Sequence, residues 1–271
     1  LGSYLKMQTW RLIIDQDGPG DENMARDESL LRAADLRTKV PTLRLYGWRS
    51  PAISVGYIQN PSKVLPFGLP VVRRITGGRA VIHDMELTYS ITAPTGREPF
   101  AEGINGAYSA ISVCIINALK DIGVDAAFSR GHRSGKGAEK DACFHSPSRY
   151  EVLVNGKKLV GSSQRRLKNA FLQHGSIIFG VNRALHERIF GEGIVERMSW
   201  IGAHSGVARE AFRDILVKRF AEGFMADFKE AALDDDEENL KDELLKAKYL
   251  TEEWNHNCVR RYKDPLALKE R

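Results

Sequence analysis

Cys143-Phe-His-Ser-Pro-Ser-Arg-Tyr-Glu-Val-Leu-Val-Asn-Gly-Lys-Lys-Leu-Val-Gly-Ser-Ser-Gln164 reads as a strand, a two-residue turn and a second strand. Tyr150, Val152 and Val154 alternate at period two, the mark of a strand with one buried face. Asn155-Gly156 is the strongest short hairpin signal, because such a turn needs positive φ at its central residues. The chain returns as a second strand from Lys157. A hairpin folds its ends together, so Lys158 comes back towards the segment before the first strand. There lies Cys143, fifteen residues ahead of it. An ammonium beside a thiol lowers the thiol's pKa and populates the thiolate, the nucleophilic form. An unperturbed cysteine is only about a few per cent thiolate at pH 7. The pair therefore points to covalent catalysis. Lys157 competes with Lys158 for this role, and only one of them faces the site, since neighbours on a strand point to opposite faces.

Working outward, Asn23 to Leu36 has the spacing of an amphipathic helix, with Met24, Leu30, Leu31 and Ala34 on one side. Strand-like runs follow at Thr42 to Trp48, Ala52 to Tyr57, Pro70 to Ile75 and Glu86 to Thr92, separated by Gly, Pro and Asn. Ile104 to Ile122 carries the best helical stripe, and Gly123 supplies its stop. Cys114 extends that stripe and reads as core. Ser129 to Ala142 is rich in Gly and charge and leads into Cys143; it fits a lid or a variable surface loop equally well. A third strand runs from Phe171 to Phe179 and a second long helix from Val207 to Phe228. Asp234 to Glu243 is densely acidic and reads as a solvated helix face or loop, and the polar end from Glu252 is expected to fray. Strands outnumber helices and cluster with short turns. That predicts an α+β fold with mixed, mostly antiparallel sheets flanked by helices.

The chain has 271 residues and a net charge of +5. The length suits one large domain with a small appendage. The division expected is an expression scar at 1–6, a catalytic domain at 7–228, and a polar, partly helical C-terminal extension at 229–271. No apolar run approaches a membrane span and no secretory signal is present, so a cytoplasmic protein without a membrane partner is expected. Three cysteines with no C-x-x-C neighbour argue against zinc, and no metal is expected. The mild basic excess fits nucleic acid, an acidic protein or a phosphate-bearing substrate, but no nucleic-acid motif accompanies it.

A second motif, Arg73-Arg-Ile-Thr-Gly-Gly-Arg-Ala-Val-Ile-His-Asp84, follows a strand. Its glycines let backbone approach a ligand, and Arg73 and Arg74 have the charge to hold an anion. Read alone, it fits a simple hairpin turn better. Together with Asn23-Met-Ala-Arg-Asp-Glu-Ser-Leu-Leu31, Glu86-Leu-Thr-Tyr-Ser90, Gly156-Lys-Lys-Leu-Val-Gly-Ser162 and Gln173-His-Gly-Ser176, it gives a more specific pattern. From about Trp10 to Phe228 the chain resembles the lipoate/octanoate transferase and ligase family, which shares the biotin/lipoate protein ligase-like catalytic fold. Cys143 with Gly156-Lys-Lys and Gln173-His-Gly looks most like the Cys-dependent octanoyltransferases of Gram-positive type. The resemblance implies that ATP-using ligases of the family carry an Asn-Asp pair before this strand, without the Cys, where Arg149-Tyr150-Glu151 stands here, and often a separate C-terminal domain. The family's usual third Gly is Arg79.

The resemblance implies a ping-pong acyl transfer without a cofactor. Cys143 would take octanoyl from acyl carrier protein and pass it to a lysine of a lipoyl-accepting protein. That acceptor is the glycine-cleavage H protein or the lipoyl domain of a 2-oxoacid dehydrogenase. The resemblance places the site lysine directly before Leu-Val-Gly-Ser, hence Lys158. It also implies a substrate pocket of Arg74, Thr76, Gly77, Gly78, His83, Gly161, Ser162 and His174. His83 and His174 are left open between chemical and structural roles, and His145 offers a weaker Cys–His reading. The rivals are an ATP-dependent lipoate–protein ligase, an amidotransferase between lipoyl domains, and a carrier-binding module without turnover.

Overall fold

A computed structural model of the protein describes residues 7–37, 40–129 and 151–257. Cys143, His145, Tyr150 and the expected scar at 1–6 lie outside them. In chain order the elements are β1 (Gln8–Ile14), α1 (Gly20–Leu36), β2 (Thr42–Tyr46), β3 (Ala52–Val55), β4 (Val71–Arg73), β5 (Val81–His83), β6 (Glu86–Pro94), α2 (Gly103–Asp121) and β7 (Ala126–Phe128). Then follow β8 (Val152–Val154), β9 (Lys157–Arg166), β10 (Ala170–Ile178), α3 (Arg183–Phe190), α4 (Arg209–Phe224), β11 (Ala226–Glu230), α5 (Asp235–Leu244) and α6 (Glu252–His256). A π-helical turn, Leu245–Tyr249, joins the last two. None of the described helices is long and apolar enough to cross a membrane.

The large sheet has the order β11-β1-β2-β6-β10-β9-β8-β7. Its two pairings at β1 are parallel and the rest antiparallel. The small sheet has the order β4-β3-β5. This is the mixed, mostly antiparallel α+β fold expected. The hairpin forms as read: Asn155 at φ 50° and Gly156 at φ 74° connect β8 to β9.

One face of the large sheet is covered by α2 and α4. The α2 stripe Ala107, Ile111, Ile115, Ala118 and Leu119 is buried against Tyr89, Phe171 and Phe220. The two helices approach closely where Gly223 meets Cys114; a Cβ at Gly223 would lie 2.4 Å from the Cys114 Sγ. Burial pushes the Cys114 thiol up to about 12, which fits a packing role. The other face takes α1, whose Met24 and Leu31 pack with Tyr46, Trp48 and Leu172.

Three expectations are corrected. First, the helix read as Val207 to Phe228 stops at Phe224. Met225 takes a left-handed turn at φ 48°, and Ala226 to Glu230 then pair in parallel with β1. Second, β1 adds a strand ahead of the expected first helix, with Trp10 and Leu12 buried at period two. Third, residues 252–257 of the end expected to fray are folded, and the rest of it lies outside the described residues. Thr251 caps α6, and Trp254 and Asn255 are buried.

The tail is built into the body. Glu237, in the acidic run expected to be solvated, is buried and takes two bonds from Arg11, each at 2.8 Å. Glu28 of α1 accepts from Arg32, Lys248 and Tyr249. The Arg73 guanidinium donates to the Trp254 and Asn257 carbonyls, and the Trp254 indole donates back to the Arg73 carbonyl at 2.9 Å. Residues 229–257 therefore brace α1 and β4 directly. Trp254→Ala should cost about 3–5 kcal/mol, the usual range for a buried Trp truncated to Ala. Urea denaturation should show the lowered midpoint.

Candidate active site

The sheet face under α1 carries a row of polar side chains. On neighbouring strands, Ser163, His174, Ser90 and Arg44 stand opposite one another. Directly opposed residues share a face, so all four point at α1. Asp27 of α1 meets them. Its Oδ1 accepts from Arg44 at 2.8 Å and Ser90 at 2.9 Å. Its Oδ2 accepts from Tyr46 and lies against the His174 Nδ1, each at 2.9 Å. Burial alone would raise this carboxyl. The His174 hydrogen bond and the Arg44 charge outweigh it and hold the pKa below the usual value of 3.8. The far nitrogen of His174, Nε2, is 2.7 Å from Thr76 Oγ1, which is 2.8 Å from Ser163 Oγ. A neutral imidazole donating to Asp27 accepts from Thr76.

Thr76 stands in the turn between β4 and β5 of the small sheet, where it reaches the large one through His174 and Ser163. Gly78 has φ 94°, a conformation that suits glycine. Gly56 is needed too, because a Cβ there would lie 2.0 Å from the Gly78 carbonyl oxygen. Arg74 holds the turn. It donates to the Gly77 carbonyl at 2.9 Å, the Arg79 carbonyl at 2.7 Å, and the Ser54 carbonyl and hydroxyl at 3.0 Å. Arg73 donates to the carbonyls of Gly56, Tyr57 and Gln59. Both guanidinium groups, expected to hold an anion, are directed at backbone carbonyls. They shape the loop that faces the site.

His83 stacks on Trp48, with ring centres 3.8 Å apart and planes at 13°. Its Nε2 is 2.7 Å from Ser54 Oγ, and Glu86 lies 3.5 Å from Nδ1. Burial lowers its pKa from 6.5, against the opposing pull of Glu86. Ser162, expected to meet substrate, turns its hydroxyl to Tyr89 at 2.7 Å.

At the edge of this region, burial separates the two lysines, at a register shift between β8 and β9. Lys157 is exposed and Lys158 buried. The Lys158 ammonium donates to the Glu151 carboxylate. Its stem lies over Gly161, where a Cβ would come within 2.9 Å of Cε and 3.2 Å of Nζ. Beside Gly161 is a narrow, largely apolar cavity. Arg74, Gly78, His83, Gly161, Ser162 and His174 line it, joined by Met24, Tyr46, Trp48 and Ser176. Thr76 touches two of its lining residues, and Gly77 lies in the turn beside it. Cys143 stands eight residues before Glu151. The described chain breaks off after Ser129, whose N–H bonds the Glu151 carbonyl at 2.8 Å, so both flanks of that segment meet beside Lys158.

Residues 19–228 match the model of the lipoyl protein ligase A/B catalytic domain. The chain belongs to that family. Octanoyltransferase LipM of Kyrpidia tusciae is 38% identical, covering 92% of this chain and 99% of the relative. Octanoyltransferase LipM of Bacillus subtilis (strain 168) is 33% identical, covering 93% and 99%. Among solved structures, protein Ta0514 of T. acidophilum with bound lipoic acid aligns with a TM-score of 0.78 at 24% identity, covering 92% of this chain and 98% of that one. A lipoate-protein ligase A bound with ATP gives 0.77 at 24%, covering 92% and 98%. At that identity the two structures speak for the fold.

Within this lipoyl protein ligase A/B catalytic domain, sequence reasoning missed Asp27, Arg44, Trp48 and Glu151. Asp27 sits inside a quoted motif, and its spacing from Met24 and Leu31 put it on the buried side of α1; that was the available signal. Asp27→Asn should destabilise by about 3–5 kcal/mol at pH 7, the cost of leaving a buried charge partnerless. A carboxylate with a depressed folded pKa stabilises fully above its unfolded value and loses that contribution as pH falls through the folded one. Thermal unfolding followed from pH 5 downwards should therefore show a shallower pH dependence in Asp27→Asn than in wild type.

Proposed function

We propose that the protein is an octanoyltransferase of lipoate biosynthesis, moving octanoyl from acyl carrier protein through Cys143 to a lysine of a lipoyl-accepting protein. The observation that carries this reading is the buried Lys158 ammonium beside Gly161, at one end of the cavity, in a chain matched over nearly its full length by octanoyltransferases. In the first half-reaction the Cys143 thiolate attacks the thioester carbonyl. The bond to the pantetheine sulfur breaks, that sulfur leaves as a thiol after gaining a proton, and octanoyl–Cys143 remains. In the second, the neutral amine of the acceptor lysine attacks that thioester. An amide forms, and the amine's proton stays with the released Cys143 thiol. Amide formation from a thioester runs downhill, so no ATP enters.

Lys158 supports the thiolate by charge. Backbone N–H groups of the Thr76-Gly77-Gly78 turn offer donors for the developing oxyanion. The cavity takes the acyl chain. A basic net charge of +5 suits acidic protein partners, and the H protein and a 2-oxoacid dehydrogenase lipoyl domain are the acceptors proposed.

Incubation with octanoyl–acyl carrier protein and no acceptor should add one octanoyl mass to the intact protein. That increment should be labile to hydroxylamine and absent from Cys143→Ala. Adenylate formation from ATP and lipoate with no such increment would sink the reading. Alkylation of Cys143 followed against pH separates the lysines: Lys158→Ala should shift the profile to higher pH, and Lys157→Ala should leave it in place.

A further inference from the structure

The cavity floor runs across the strands. Gly161 of β9, Ser176 of β10, Thr88 of β6 and Tyr46 of β2 stand opposite one another in register. At about 4.8 Å per strand, Gly161 to Thr88 is about 10 Å and Gly161 to Tyr46 about 14 Å. The first three positions are small, and the row ends on a ring. Lys158 marks the first end, through its contact with Gly161. With C–C bonds of about 1.5 Å, an extended eight-carbon chain covers about 9 Å, so one starting beside Lys158 ends at the level of Thr88.

Trp48 stands at that level and Met24 lines the same cavity, and the two differ in freedom. Trp48 is fixed. Its indole donates to Thr88 Oγ1 at 3.0 Å and its face is stacked on His83. Behind it, a Cβ on Gly20 would come within 2.6 Å of the ring, so α1 leaves it no room to retreat. Met24, one turn along α1, lines the cavity and packs in the cluster that holds Tyr46 and Trp48. It has an unbranched, apolar side chain that adjusts to what it touches.

We infer that Met24 sets the longest acyl chain the cavity admits, with Trp48 as the fixed wall behind it. The inference rests on the acyl-transfer reading of this cavity. It names a specificity residue that reading does not require.

The test uses the full chain, acyl carrier protein loaded with hexanoyl, octanoyl, decanoyl or dodecanoyl, and a lipoyl domain as acceptor, with product followed by intact mass. One methylene against a hydrophobic pocket discriminates by roughly 10-fold or more. Met24→Ala should therefore raise kcat/KM for dodecanoyl relative to octanoyl by at least about 10-fold. Met24→Phe should lower octanoyl relative to hexanoyl by about as much. Thermal unfolding checks that each variant is folded, and Met24→Phe carries the test if Met24→Ala is not. Variants that change all chain lengths equally, or none, overturn the inference while the wild-type activity upholds acyl transfer. A wild-type protein that accepts no chain from any donor overturns both.

Discussion

The carboxylate of Asp27 binds one helix to three strands at once. Arg44 comes from β2, Ser90 from β6 and His174 from β10, and each meets Asp27 within 2.9 Å. A buried carboxylate is tolerable only when its acceptor sites are filled, and here four donors fill them. The arrangement also fixes His174. With Nδ1 committed to Asp27, Nε2 faces Thr76, and Thr76 in turn faces Ser163. The glycine turn is thereby tied to the strand that carries Lys158. Removing Asp27 would leave Arg44 and His174 buried without it and would free the turn from the platform.

Backbone carbonyls are the second currency of the site. Arg74 closes the Gly77–Arg79 turn against Ser54, while Arg73 gathers the Gly56–Gln59 loop and the chain end around Trp254. Guanidinium suits this because its planar fork of donors reaches several carbonyls that would otherwise be left unmet. The turn is thus held in shape by cations on one side and packed glycines on the other. A chain end that reads as an appendage supplies part of the brace.

Much of this was legible in the sequence where geometry is local. Asn155-Gly156 fixes the hairpin, and the resemblance picks Lys158, the buried one of the two lysines, beside a register shift in the β8–β9 pairing that no local pattern announces. The α2 stripe reads cleanly because seven-residue hydrophobic spacing has few other solutions. What was not legible depends on partners distant in sequence. Arg73 and Arg74 read as anion binders because a sequence shows their charge and conceals the carbonyls that consume it. The polar tail conceals Trp254 and Glu237, whose partners, Arg73 and Arg11, lie far away in the chain. The helix after Val207 was read too long because nothing local announces that β1 awaits Ala226 as a parallel neighbour.

The Lys158–Glu151 contact constrains any thiolate chemistry at this end of the cavity. A lone buried ammonium would favour a nearby thiolate strongly, since charges interact more strongly away from water. An ammonium already paired with a carboxylate offers a weaker field, and a second anion beside it meets like charge. A Cys143 thiolate brought to Lys158 would then share one cation with Glu151. The pKa of the thiol would be governed by its position between Nζ and the Glu151 carboxylate as much as by the presence of a lysine. That makes the chain just before Glu151, which carries Cys143, the part of the sequence whose placement matters most to the proposed reaction.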